Sequence, residues 1–178
     1  MKFYTGVGSR ETPQDILDLM KDIAVFLSLQ GWVLRSGGAP GADTAFEQAV
    51  DSVNGKKQIF LPWKGFNGNS SPYYNIPSEA FDISLEAYGE RLTYLKRPIK
   101  LLMARNVQQV LGPTLDQHSA FVVCWTPDGI TDGSKRTRKT GGTGQAISIA
   151  TNYGVPVFNL AHHDFEDIDN FIHTYDFK

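Results

Sequence analysis

A three-layer α/β sandwich, an open parallel sheet of about five strands between two layers of helices, is the fold this sequence predicts. Three observations predict it. Short β-type runs alternate with helical periodicity from Lys2 to Leu61. The run "SAFVVCW" is apolar at nearly every position, as a strand covered on both faces must be. Glycines crowd the exits of three strands.

The first strand is "KFYTGV", Lys2 to Val7. Thr12 is a good N-cap and Pro13 suits a first helical position, with Asp15 completing a capping-box-like start. Ile16, Leu17, Met20, Ile23, Ala24 and Leu27 recur at helical spacing, so a helix is expected over Pro13 to Leu29, stopped by Gly31. "WVLRS", Trp32 to Ser36, is the second strand. A helix over Ala42 to Val53 and a third strand over Gln58 to Leu61 follow. This β-α-β-α-β order is solved by a parallel sheet with right-handed crossovers.

The segment "KGFNGNSSPYYNIPSEA" is a long loop. Helices are expected over Ser78 to Leu95 and Ile99 to Leu111, the second closed by Gly112 and Pro113. The central strand is Ser119 to Trp125. A polar loop, a helix over Thr143 to Asn152 and a last strand over Val155 to Leu160 come next. A short closing helix is expected in "HHDFEDIDNFIHTY". No linker divides the chain, so residues 1–178 are expected to form a single domain.

Composition narrows the function classes. The formal net charge of −2 removes any global basic field of the kind duplex-DNA binders carry, while leaving room for a local basic groove. Cys124 is the lone cysteine, so no disulfide framework exists and a reducing, cytoplasmic setting is expected. Neither a signal-peptide pattern nor a membrane-spanning apolar run is present in the sequence, and no membrane partner is expected. His118, His162, His163 and His173 lack metal-ligand spacing, so neither a metal nor another cofactor is expected.

The chemistry concentrates at "TGVGSRETP", "RSGGAPGADT" and "KTGGTGQAI". Ligands of open parallel sheets bind outside the strand carboxyl ends, where helix N-termini offer unpaired N–H groups to phosphate. Glycine lets backbone approach such an anion. "GVGSRE" has Glu11 where a dinucleotide fingerprint needs its third glycine, and no Walker spacing is present.

Arg10 is placed to clamp a phosphate or to pair with Glu11. Arg35 and Arg105 are further cations that suit the same edge or a purely structural role. Asp43 and Glu47 lie one helical turn apart. Asp43 fits a helix cap, and both carboxylates fit ribose binding or glycosidic cleavage as candidate catalytic groups. "SKRTRK", Ser134 to Lys139, fits a solvated run, a flap over phosphates or a contact to single-stranded nucleic acid. Trp63, Phe66, Tyr73 and Tyr74 fit a base-stacking wall or an anchor for their loop.

These motifs, with "FLPWKGFNG" and "ARNVQQVL", resemble the SLOG superfamily, which includes DprA-type, LOG and YspA-related proteins. The resemblance runs from Phe3 to Leu160. It implies a Rossmann-like sheet whose glycine loops bind a phosphorylated nucleoside or an NAD-derived molecule. By position it assigns ligand binding to Gly8, Ser9 and Arg10; to Ser36, Gly37, Gly38, Gly41, Ala42 and Asp43; to Arg105 and Asn106; and to Gly141, Gly142, Thr143 and Gly144. LOG enzymes carry P-G-G-x-G-T-x-x-E, and here Gln145 and Ser148 stand at its threonine and glutamate. Three functions follow from the resemblance: nucleotide binding, N-glycosidic hydrolysis of a nucleotide, and DprA-like binding of single-stranded DNA. It also implies pairing of copies through helices.

Overall fold

The computed structural model describes residues 1–175. Five strands, β1 (Lys2–Gly6), β2 (Trp32–Ser36), β3 (Lys57–Ile59), β4 (Val122–Cys124) and β5 (Val157–Asn159), form one parallel sheet in the order β3-β2-β1-β4-β5. The register pairs Tyr4 with Leu34, Gly6 with Val123 and Val123 with Phe158. The helices are α1 (Gln14–Leu29), α2 (Ala42–Ser52), α3 (Ser78–Tyr88), α4 (Arg97–Leu111), α5 (Thr143–Asn152) and α6 (Phe165–Thr174). The expected open sheet with helices on both faces is what the chain forms.

Strand alternation sorts the core. Phe121 and Val123 face the layer of α1, α2 and α6, with Tyr4, Met20, Ile23, Leu27, Phe46 and Ile168. Val122 and Cys124 face the layer of α3, α4 and α5, with Val107, Val110, Ile147 and Ile149. Because β4 is covered on both faces, its sequence must read as an unbroken apolar run. Phe121 stacks on Tyr4 at 5.9 Å and meets Trp32, Phe158 and Phe171 edge-on. Burying a ring of that size contributes about 1.5–3 kcal/mol.

Several local expectations are corrected. Helix α1 begins at Gln14 without a side-chain cap, because the Thr12 hydroxyl donates instead to Ser9 O at 2.6 Å. The helix expected over Ser78 to Leu95 breaks at Gly89, whose φ of 95° leaves helical space, and a 3-10 turn spans Glu90–Tyr94. Helix α4 starts at Arg97 rather than Ile99, since Pro98 fits its first turn. Helix α6 is closed at its start by a reciprocal pair: Asp164 accepts from the Asp167 N–H and Asp167 from the Asp164 N–H. No helix among the described residues is long and apolar enough to cross a membrane.

Candidate functional site

The strand order reverses between β1 and β4, so the loops leaving these strands part and open a crevice at their carboxyl ends. A cavity of about 670 Å³ lies there. Val7 to Glu11 line it from the β1 exit, Pro127 from the β4 exit, and Ala39 and Asp43 from the second junction. Arg138, Lys139 and Gly141 to Thr143 close it from the start of α5. Leu102, Met103, Arg105, Asn106 and Gln109 reach it from α4.

Of the residues assigned by resemblance, the cavity gathers Gly8, Ser9, Arg10, Asp43, Arg105, Asn106, Gly141, Gly142 and Thr143. Ser36, Gly37, Gly38, Gly41, Ala42 and Gly144 do not line it. Their positions have structural reasons. Ser36 donates its hydroxyl to Gly6 O at 2.7 Å. A side chain on Gly37 would collide with Arg105 and Gln109, so glycine here makes room for those two residues. Gly144 lies under the Arg136 side chain. The surplus glycine of "RSGGAPGADT" thus serves internal packing as well as the cavity edge.

The two carboxylates part company. Glu47 lies outside the cavity, where it accepts from Lys57 Nζ at 2.8 Å and from Asn69 Nδ2 at 3.1 Å. Asp43 is buried at the cavity, but Gly41 occupies the N-cap position of α2 and Asp43 makes no cap. Its carboxylate accepts instead from the Ala39 N–H at 3.2 Å, tying the glycine loop back on itself. Burial pushes the Asp43 carboxyl up to about 6, against the opposing pull of the nearby Arg105 charge.

Arg105 is 4% exposed and donates through Nη1 to Gly37 O and, at 3.1 Å, to Phe60 O. It stitches the ends of β2 and β3 to α4 while presenting positive charge to the cavity. Burial lowers its guanidinium to about 10, with Asp43 opposing. Asn106 is held by Gln145, to whose Oε1 it donates at 2.9 Å. Arg35 belongs elsewhere. Fully buried, it donates to Gln58 Oε1 and Gln117 O and packs its guanidinium 3.8 Å from the Phe3 ring centroid.

The basic run divides. Arg136 is an anchor, donating to Ala87 O and Ser148 Oγ and lying over the Tyr88 ring. Asp128 accepts from the hydroxyls of Thr137, at 2.7 Å, and Thr140. These hydroxyls, with that of Thr126, outweigh burial and hold the Asp128 carboxyl below its ordinary range. Pinned on both sides, the loop directs Arg138 and Lys139 to the cavity. Among the described residues, the side chains of Arg10, Arg138 and Lys139 have no partner. Four cations (Arg10, Arg105, Arg138, Lys139) therefore face two carboxylates (Glu11, Asp43) in a molecule of net charge −2.

At the start of α5, a Cβ on Gly141 or Gly142 would meet nothing within 4 Å. Of the N–H groups there, those of Gly144 and Gln145 donate to Gly141 O and Gly142 O, whereas those of Gly142 and Thr143 have no acceptor among the described residues and lie at the positive end of the helix dipole. The apolar side of the cavity is Val7, Leu102, Met103, Pro127 and Ala146. The aromatic loop does not contribute: Phe66 packs on Trp63 and Tyr73 on Phe60, anchoring the loop. Among the described residues no group of three His, Cys, Asp or Glu side chains is arranged to hold a metal ion.

Sequence reasoning passed over Leu102 and Gln109. Their signal was present, because Leu102, Arg105, Asn106 and Gln109 form an i, i+3, i+4, i+7 stripe on α4.

Neither a family model nor a curated protein matches the chain. Among solved structures it is similar to DNA processing protein A (DprA) from Streptococcus pneumoniae, at a TM-score of 0.42 and 14% identity. The match covers 99% of this chain and 62% of that one, so the chain spans under two thirds of the DprA chain.

Proposed function

We propose that the cavity binds a phosphorylated nucleoside or an NAD-derived ligand, as the SLOG resemblance implies, with its phosphate at the start of α5. One observation carries this reading: the unpartnered cations Arg10, Arg138 and Lys139 converge with open glycine backbone on one cavity. Phosphate is favoured by both the cations and the helix N-terminus. A volume of about 670 Å³ suits a mononucleotide or somewhat larger ligand. Leu102, Met103 and Pro127 supply an apolar surface for a base. Calorimetric titration with AMP, ADP, NAD, ADP-ribose and inorganic phosphate tests it. Binding tighter than about 1 mM by at least one nucleotide is expected, and none across the panel refutes the reading.

A second reading, single-stranded DNA, is favoured by a separate feature. Tyr94 is 89% exposed between the exposed cations Arg91, Lys96 and Arg97, just before the helix that lines the cavity. An exposed ring among cations is a stacking platform for an unpaired base. Affinity for an oligonucleotide should then fall steeply with salt and drop on Tyr94→Ala. A flat salt response excludes it.

A further inference from the structure

The cavity is chemically two-ended. Its unpartnered cations, Arg10, Arg138 and Lys139, are exposed at the mouth, whereas Gln109 is 2% exposed and lies against Gly37. Gln109 lines the cavity, and its side-chain amide has no hydrogen-bond partner among the described residues. Its neighbour Arg105 is already committed to Gly37 O and Phe60 O. Neither amide atom is sealed off inside the protein, so the group opens to the cavity, and methionine of similar length would fill the same space while presenting no polar atom there. Folding therefore gives no reason for glutamine at this position.

We infer that Gln109 is the specificity-determining residue of the cavity, pairing with an uncharged polar edge of the ligand that carries a donor beside an acceptor. This inference rests on the nucleotide reading above, with the phosphate at the mouth and the neutral end inward. An amide offers two donors and an acceptor side by side, so it pairs doubly with such an edge and rejects one in which donor and acceptor are altered. Two parts of a nucleotide present that chemistry: the adenine edge, with its amino group beside a ring nitrogen, and the vicinal hydroxyls of the sugar. Asp43, on the adjacent wall, adds a carboxyl to the same end.

The test compares AMP with inosine monophosphate, which alters the base edge, and with 2′-deoxy-AMP, which removes one hydroxyl. Each is titrated against the wild type, Gln109→Met and Gln109→Glu. The wild type should disfavour one of the two analogues by about tenfold or more. Gln109→Met should weaken AMP by about tenfold, close that gap, leave inorganic phosphate unchanged and keep or raise the melting temperature. Gln109→Glu, which keeps the length but loses both donors, should weaken AMP similarly. The assignment to base or sugar follows from which gap closes.

The inference is overturned if both variants bind AMP as the wild type does, if neither analogue is discriminated, or if Gln109→Met melts more than about 5 °C lower. The last result would make the amide structural. Absence of binding across the whole panel of nucleotides and phosphate refutes the nucleotide reading itself, and the inference with it, whereas binding of another nucleotide without AMP overturns the inference alone.

Discussion

A methyl group on Gly37 would stand 2.5 Å from Nη1 of Arg105, so the glycine and the guanidinium share one space. Gly37→Ala should displace Arg105 from its two carbonyl acceptors and cost about 2–4 kcal/mol, from overpacking plus weakened charged hydrogen bonds. Urea unfolding checks this. A loss below about 0.5 kcal/mol would mean that the loop yields without disturbing Arg105.

Gly142→Ala should behave oppositely. Residue 142 has helical φ and ψ of −65° and −28°, and its added Cβ meets nothing in the protein. Stability should hold or rise by about 0.4–1 kcal/mol. Nucleotide affinity should fall, because the methyl group stands where the ligand phosphate is expected. Calorimetric titration beside thermal melting separates the two effects.

Arg138→Ala with Lys139→Ala should leave the melting temperature within about 2 °C, since neither side chain has a partner among the described residues. Nucleotide affinity should drop by about 100-fold if each cation makes one charged hydrogen bond to phosphate. Equal affinity in wild type and double variant would remove these residues from the site.

Asp43 predicts a pH dependence with a definite sign. Its carboxyl is raised by burial from 3.8 to about 6 in the folded chain. Between those values the unfolded chain loses the proton while the folded chain keeps it. Stability from this group therefore declines as pH rises from about 4 to about 6, and is constant on either side. Asp43→Asn should remove that decline, read as the difference in urea midpoint between variant and wild type across this window. A carboxyl titrating there also suits acid–base work. Release of free adenine from AMP that Asp43→Asn abolishes would assign Asp43 that role.

Glu47→Gln should leave ligand binding and any base release unchanged, because Glu47 is tied to Lys57 and Asn69 outside the cavity. The change should cost about 1 kcal/mol or less, as the Lys57 ion pair is partly solvated. Affinity lost on this change would return Glu47 to the site.

The sheet was legible because β4 is apolar at every turn of its pleat and because glycine marks the strand exits. Those signals are imposed by burial on both faces and by backbone geometry. The site was legible in part. Gly8 to Arg10 and Gly141 to Thr143 stand at strand and helix ends, where chain position alone points them to the crevice. Gly37 and Glu47 misled because a glycine making room for ligand and one making room for Arg105 look alike in one dimension. Asp43 and Glu47 are four residues apart, yet only Asp43 is turned inward, a distinction made by Lys57 on a neighbouring strand. Arg35 shows the same limit: nothing local tells that its charge is buried against Phe3.

The double tether of the loop after β4, through Arg136 to α3 and α5 and through Thr137 and Thr140 to Asp128, bears on kinetics. The conformational entropy of residues 136–140 is surrendered when the chain folds, not when a ligand arrives. Encounter should then be a single bimolecular step whose rate falls with ionic strength and shows no plateau at high ligand concentration.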